Sequence, residues 1–366
     1  MKRLVLMFIV LIPCFCFCGC YDYREINDTA MVSGIAIDRG TDSLYTVSVE
    51  IVQPAESESS SAKGKVLSED GNSVEDCLKR LVNAATKQLQ FSHCKLILFS
   101  EEVVKQGISD LVDYFIRDPE YRGDLFLSVV MGAKASEMLS TGEKEDRIVS
   151  YDYANVIENS YQETGSVPPT KLYQFPISGD LSLLTVFKKS GDQFSISACA
   201  GMKDGKLFAE IDLPTVQSIL LISGEFKVGE LLLKTDDGIE IPCQVRSVKT
   251  KKHVVIDENP TIHVTIDCDI LLTTLPNGFN ISSEDHMERS EDEIAKLLTR
   301  KIQKDWNSAV SDGISEVFGL GVYLYRHQPK LYRQLTDNSS MGQLDLITEC
   351  NVELANFGFA DEGVVE

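Results

Sequence analysis

The sequence predicts an α+β fold in more than one domain, with mixed and antiparallel sheets and helices packed on them. Three observations carry that prediction. Short apolar or alternating runs bounded by Gly, Asp and Asn recur along the whole chain. In the first half, stretches with apolar residues at helical spacing separate them. The second half strings strand patterns together and reads as an antiparallel sheet with one long helix. A chain of 366 residues accommodates two or three domains and buries a core without disulfides or metals.

The chain opens with Lys2 and Arg3, followed by an apolar run from Leu4 to Cys18 broken by Pro13. A basic start and a short apolar segment predict an export signal over residues 1–19. The run is shorter than the roughly 20 residues a spanning helix needs. It ends in Phe17-Cys18-Gly19-Cys20, small residues before a cysteine, which is similar to a bacterial lipobox. Cys20 is then the first mature residue and the lipidation site, an uncleaved N-terminal anchor being the alternative. Two or more acyl chains, at about 0.8 kcal/mol per buried methylene, hold a protein stably on a bilayer. Tyr21, Tyr23 and Arg24 follow directly and are candidate contacts to headgroups or partner subunits.

Residues 20–140 read as an N-terminal α+β domain. Ala30 to Asp38 is a mostly apolar buried strand, and Leu44 to Val52 alternates as its hairpin partner. The polar, Ser-rich stretch Glu56 to Gly64 reads as a loop. Val74 to Leu89 reads as a helix capped by Ser73, with Val74, Cys77, Leu78, Leu81, Val82, Ala85 and Leu89 on one stripe. Lys95 to Phe99 is a short strand. Ser100 caps a second helix, which carries Glu101 and Glu102 at its positive end and stops before Asp118-Pro119. Asp124 to Met131 is a strand and Lys134 to Leu139 a short helix.

Residues 141–190 are richer in Gly, Pro and polar residues and read as a linker or small middle subdomain, with a helix over Asp152 to Thr164. Residues 191–366 form the C-terminal α+β domain. Phe194–Met202 and Leu207–Ile211 make a hairpin about Asp204-Gly205. Pro214 opens a short helix. Strands follow at Glu230–Thr235, Ile239–Thr250 and Thr261–Leu272, and a long helix runs from about Arg289 to Val310. A short helix near Gln328–Gln334 and a strand at Leu346–Leu354 close the chain.

Charge excludes one class of function. With 35 Lys and Arg against 56 Asp and Glu, the net charge is −21, a field that repels nucleic-acid phosphate. Removing residues 1–19 leaves 33 basic against 56 acidic residues, or −23, so lipid and not a polybasic patch must hold the body on an anionic leaflet.

Searches for catalytic and metal motifs return none, so no catalytic residue, cofactor or metal is assigned. His263 and Cys268 share a strand on opposite faces, and the other histidines are scattered. Glu284, Asp285, Glu288 and Glu291 complement the dipole at the start of the long helix. The cysteines at 77, 94, 199, 243, 268 and 350 sit in apolar patterns and read as buried thiols. Trp306, Tyr323, Tyr325 and Tyr332 read as core or half-buried aromatics. Arg246, Lys249, Lys251 and Lys252 form a basic stretch. It reads either as a solvated strand edge or as a docking face for an acidic partner or lipid headgroups.

Four segments, in order, carry a resemblance. They are Cys20 with Tyr21-Asp22-Tyr23-Arg24-Glu25-Ile26-Asn27-Asp28 and Val32-Ser33-Gly34-Ile35-Ala36-Ile37-Asp38; Phe91-Ser92-His93 with Arg117-Asp118-Pro119-Glu120; Arg246-Ser247-Val248-Lys249-Thr250-Lys251; and Phe318-Gly319-Leu320-Gly321 followed by Pro329 and Tyr332. Together they resemble the Ger(x)C family, the lipoprotein C subunits of nutrient germinant receptors, with Tyr21 where the family usually has Trp. The resemblance implies a non-enzymatic lipoprotein on the outer face of the inner spore membrane. It implies assembly with two polytopic subunits and no direct small-molecule ligand. The other reading is an extracytoplasmic solute-binding lipoprotein with a pocket between two α/β lobes.

Overall fold

The computed structural model describes residues 28–55, 61–175, 181–256, 260–272, 283–337 and 344–355. The N-terminal residues 1–27, with Cys20, Tyr21, Tyr23 and Arg24, lie outside them, as do the turn at 257–259 and part of the Ser-rich stretch.

Two sheets organise the chain, and the fold is the predicted α+β type. The first is built around four parallel neighbours: β1 (Thr29–Arg39), β5 (Leu96–Ser100), β6 (Phe126–Met131) and β7 (Leu181–Ser190). On one side β2 (Tyr45–Gln53) and β3 (Lys63–Gly71) extend it antiparallel, and the short β4 (Gln88–Gln90) pairs parallel with the start of β1. On the other side β8 (Gln193–Lys203) and β9 (Lys206–Asp212) complete it.

Every residue of β5 and β6 is buried, because helices cover both faces of the central strands. On one face, α1 (Val74–Ala84), α2 (Glu101–Gln106) and α3 (Ser109–Arg117) pack Cys77, Leu78, Val103, Val104 and Phe115 against Ile35, Ile37 and Phe99. On the other, α4 (Ala135–Glu145) and α5 (Val149–Asn159) pack Met138, Leu139, Tyr153 and Ile157 against Ala36, Leu96 and Leu98.

Two buried carboxylates clamp this second pair of helices. Asp38 accepts from the Ala135 and Ser136 N–H groups at 2.7 and 2.9 Å, at the positive end of α4. Glu50, wholly buried, accepts from Val149 N–H at 2.8 Å and Ser150 N–H at 2.9 Å at the start of α5. It also accepts from the Ser33 hydroxyl at 2.7 Å. Both carboxylates come from strands and cap helices about a hundred residues away, so no local capping pattern announces them.

Several elements depart from expectation. Ser73 does cap α1, accepting from Asp76 N–H at 3.1 Å, but the helix ends at Ala84, Ala85 being extended. Leu89 keeps its buried place as a strand residue beside β1, because sheet pairing outcompetes the last helical turn. The helix expected after Ser100 breaks at Gly107, whose φ of +120° favours glycine, and resumes as α3. β3 occupies residues read as loop or left unassigned, and β7 lies within the segment read as a linker. The first sheet therefore holds strands from both sides of residue 190.

After α6 (Leu213–Ser223) comes the second sheet, β10 (Gly229–Lys234), β11 (Glu240–Val255), β12 (Thr261–Leu272) and β13 (Asp345–Leu354). The expected antiparallel pairing holds from β10 to β12. β13 joins β12 parallel, since the intervening α7 (Glu284–Ser311) supplies the crossover a parallel pair requires. Ile294, Leu297, Leu298, Ile302 and Trp306 turn the buried face of α7 inward. α7 also covers the outer edge of β13: Thr299 Oγ1 accepts from Cys350 N–H at 3.3 Å and Glu291 Oε1 from Leu354 N–H at 2.8 Å. A 3-10 turn (Ser315–Phe318), α8 (Leu320–His327) and α9 (Pro329–Asp337) precede β13.

Candidate interaction surfaces and the cleft between the sheets

Strand geometry divides the basic stretch. Successive residues of β11 point to opposite faces. Lys249 and Lys251 project from the outer face of the second sheet, opposite Asp267 and Thr265. Lys251 Nζ lies 3.5 Å from Asp267, which also accepts from Asn351 Nδ2 at 2.8 Å. The Asn351 bond first, then the two lysines, hold the Asp267 carboxyl below its ordinary range.

Lys252 faces the other way. Its ammonium donates to the Ile222 and Ser223 carbonyls at 2.8 and 2.9 Å, capping the negative end of α6. It also lies 5.4 Å over the Tyr323 ring, and burial pulls it below the usual lysine range. Thr250 Oγ1 donates to Leu221 O at 2.7 Å. Lys252 thus serves as internal fastening, while its two neighbours in the run are solvated.

Arg246 sits at a bulge between Val245 and Ser247. It lines a groove of about 820 Å³ with Asp269, Glu284, Glu288, Glu291 and Glu353. Carboxylates therefore surround Arg246, on the same strand as Lys249 and Lys251.

The strand reaches Val255, beyond its expected end at Thr250, and this juxtaposes His253 and His263 with rings stacked at 4.9 Å. Reading the hairpin symmetrically about its turn would have found this pair. Cys268 lies on the buried face and His263 on the outer one, as expected. Among the described residues no three His, Cys, Asp or Glu side chains converge as a metal site.

A cleft of about 740 Å³ separates the two sheets. Its walls come from Pro168, Pro169, the start of β7, α6, Lys252, Phe318, and Tyr323, Arg326 and His327 of α8. Tyr323, donating its hydroxyl to Lys252 O at 2.8 Å, joins the Phe-Gly-x-Gly segment to the basic strand. Gly319 turns there at φ +68°. Two of the four resembling segments therefore meet at one place, a proximity invisible in sequence.

One constellation looks catalytic and is structural. Ser218 Oγ donates to Asp305 at 2.6 Å, and Lys301 Nζ donates to Ser218 Oγ, Asp305 and Pro214 O at 2.7 to 2.9 Å. Ser218 is wholly buried between α6 and α7 and lines neither cleft. All six described cysteines are buried free thiols. Desolvation raises Cys94, Cys243 and Cys268 to about 12, so none is a nucleophile at neutral pH. Tyr325 departs from expectation, with 61% of its surface exposed, whereas Trp306 is buried.

Two family descriptions match. "Spore germination protein N-terminal domain" covers residues 22–177 and "Spore germination B3/GerAC like, C-terminal" covers residues 198–358. Spore germination protein B3 of Bacillus subtilis is 21% identical over 98% of each chain. Spore germination protein KC of the same organism is 26% identical over 91% of this chain and 89% of its own. A crystal structure of the GerBC protein superposes with a TM-score of 0.55 at 17% identity, covering 88% of this chain and 97% of that one.

Proposed function

The chain belongs to the Ger(x)C family of spore germination proteins, and from that premise we propose that it is the lipid-anchored C subunit of a nutrient germinant receptor. Cys20 carries the acyl chains. The acidic body stands on the outer face of the inner spore membrane and acts by contact with two polytopic subunits, without catalysis. Length is the observation that carries this reading. The similarity to spore germination protein B3 takes in 98% of each chain. The buried thiols and the buried Ser218 are in keeping with a body that does no chemistry. Among the described residues no helix is long and apolar enough to cross a membrane.

Tyr21, Tyr23, Arg24, Arg246, Lys249 and Lys251 are the proposed headgroup or partner contacts, Arg246 from within a groove that carboxylates also line. The test is Cys20→Ala in the intact protein. The expected result is loss of the acyl mass from the N-terminal peptide, release of a folded body from membranes, and loss of nutrient-triggered germination. A variant that still fractionates with membranes and supports germination overturns the reading.

One observation favours a second reading. The cleft of about 740 Å³ falls in the size range of small-ligand pockets. A solute-binding lipoprotein would be stabilised by about 2.7 kcal/mol at a hundredfold excess of ligand over its Kd. Thermal melts with amino acids and sugars separate the two readings.

A further inference from the structure

We propose that the α8–α9 hairpin is a second membrane contact, an anionic-headgroup surface that sets how the body sits on the bilayer. The inference rests on the anchored reading above. From Val317 to Thr336 the chain contains no Asp or Glu, yet it carries Arg326, Lys330 and Arg333. All three are exposed and none has an ion pair among the described residues. Tyr325 stands exposed beside them, an apolar ring with a polar tip that suits a wet interface. On β11, by contrast, Lys251 pairs with Asp267, Lys252 bonds helix carbonyls and Arg246 lies among carboxylates, leaving Lys249 as the solvated cation of that run. The hairpin thus offers three exposed cations with no ion pair among the described residues.

Topology puts this surface at the anchored end. β1, β5, β6 and β7 are parallel neighbours, so they start at one end of the sheet. Thr29 at the start of β1 and Leu181 at the start of β7 are three strand spacings apart, roughly 14 Å laterally, and offset along the strands by about 10 Å. The start of β7 and Tyr323, Arg326 and His327 of α8 line the same cleft. Eight residues separate Cys20 from Asp28, a reach of at most roughly 27 Å. The lipid therefore holds this end near the headgroups. The anionic leaflet repels the acidic remainder and attracts the hairpin, so charge and tether select the same orientation. The turn at Gly40–Leu44, at the other end of β1, points away.

The test uses the full-length acylated protein on vesicles of phosphatidylcholine, with or without one third phosphatidylglycerol, containing a lipid with a headgroup nitroxide. A fluorophore is placed at Gln334→Cys on the hairpin or at Thr41→Cys in the far turn, both exposed, while the cysteines of the body are buried. Quenching at position 334 is expected to be several-fold stronger than at position 41 on the anionic vesicles. It should fall to the level at 41 in R326E/K330E/R333E and at high salt. Equal quenching at the two positions, quenching at 334 that survives charge reversal, or no quenching at 334 on any vesicle overturns the inference. Circular dichroism of the charge-reversed protein verifies its fold, and the salt series needs no substitution. Absence of the acyl mass sinks both readings, whereas an acylated, floating protein unquenched at 334 sinks only this one.

Discussion

Glu50 shows how much of the first sheet rests on one side chain. Its two oxygens accept from Val149 N–H, Ser150 N–H and the Ser33 hydroxyl in a site without solvent. Room for this arrangement is made by glycine: a Cβ on Gly34 would collide with Ser150, and one on Gly142 with Arg147 O. Part of the Val32-Ser33-Gly34 segment that resembles the Ger(x)C family is therefore a packing requirement. Hydrogen bonds to a buried charge are the strong ones. Glu50→Gln turns an amide donor toward a backbone donor and is expected to cost about 3 kcal/mol in urea unfolding. A loss under about 1 kcal/mol would show that the carboxylate is not the clamp described. Sequence could flag Glu50 only as a charged residue in an apolar strand, because its partners lie about a hundred residues away.

At the scale of elements, alternation along β11 separates residues that composition lumps together. Lys252→Ala removes two bonds to the end of α6 and the contact with the Tyr323 ring, with an expected cost of about 1 to 2 kcal/mol. Lys251→Ala breaks only a solvated pair and should cost under about 0.5 kcal/mol. Urea unfolding of the two variants checks the order, and equal losses would contradict the inward placement of Lys252. Strongly periodic elements, among them α7, β12 and the core of β1, were legible from spacing alone. β3 was not, since its KGKVLSEDG sequence is polar and its pairing with β2 gives it a strand's place at the sheet edge. The end of α1 is ambiguous in the sequence because Leu89 fits both a helical stripe and a buried strand position.

Across the whole molecule, two cores meet on shared strands. Cys199 and Ile211 of β8 and β9 pack with the second sheet and α7, while Ala198, Ala200 and Met202 pack with the first. A strand has two faces, so one pair of strands serves both cores. Over the same surface, a net charge of −21 is distributed unevenly enough to leave the stretch from Val317 to Thr336 without a carboxylate, Asp337 following at the end of α9. The sequence by itself determined the α+β class, most strands and helices, the acidic balance and the family resemblance, because hydrophobic period, turn residues and charge are local or additive properties. Tertiary structure alone decided the parallel entry of β13, the remote caps by Asp38 and Glu50, the split of the basic run between two faces, and the meeting of Tyr323 with Lys252. Each of these depends on which distant backbone atom a side chain reaches, and that is fixed only when the elements pack.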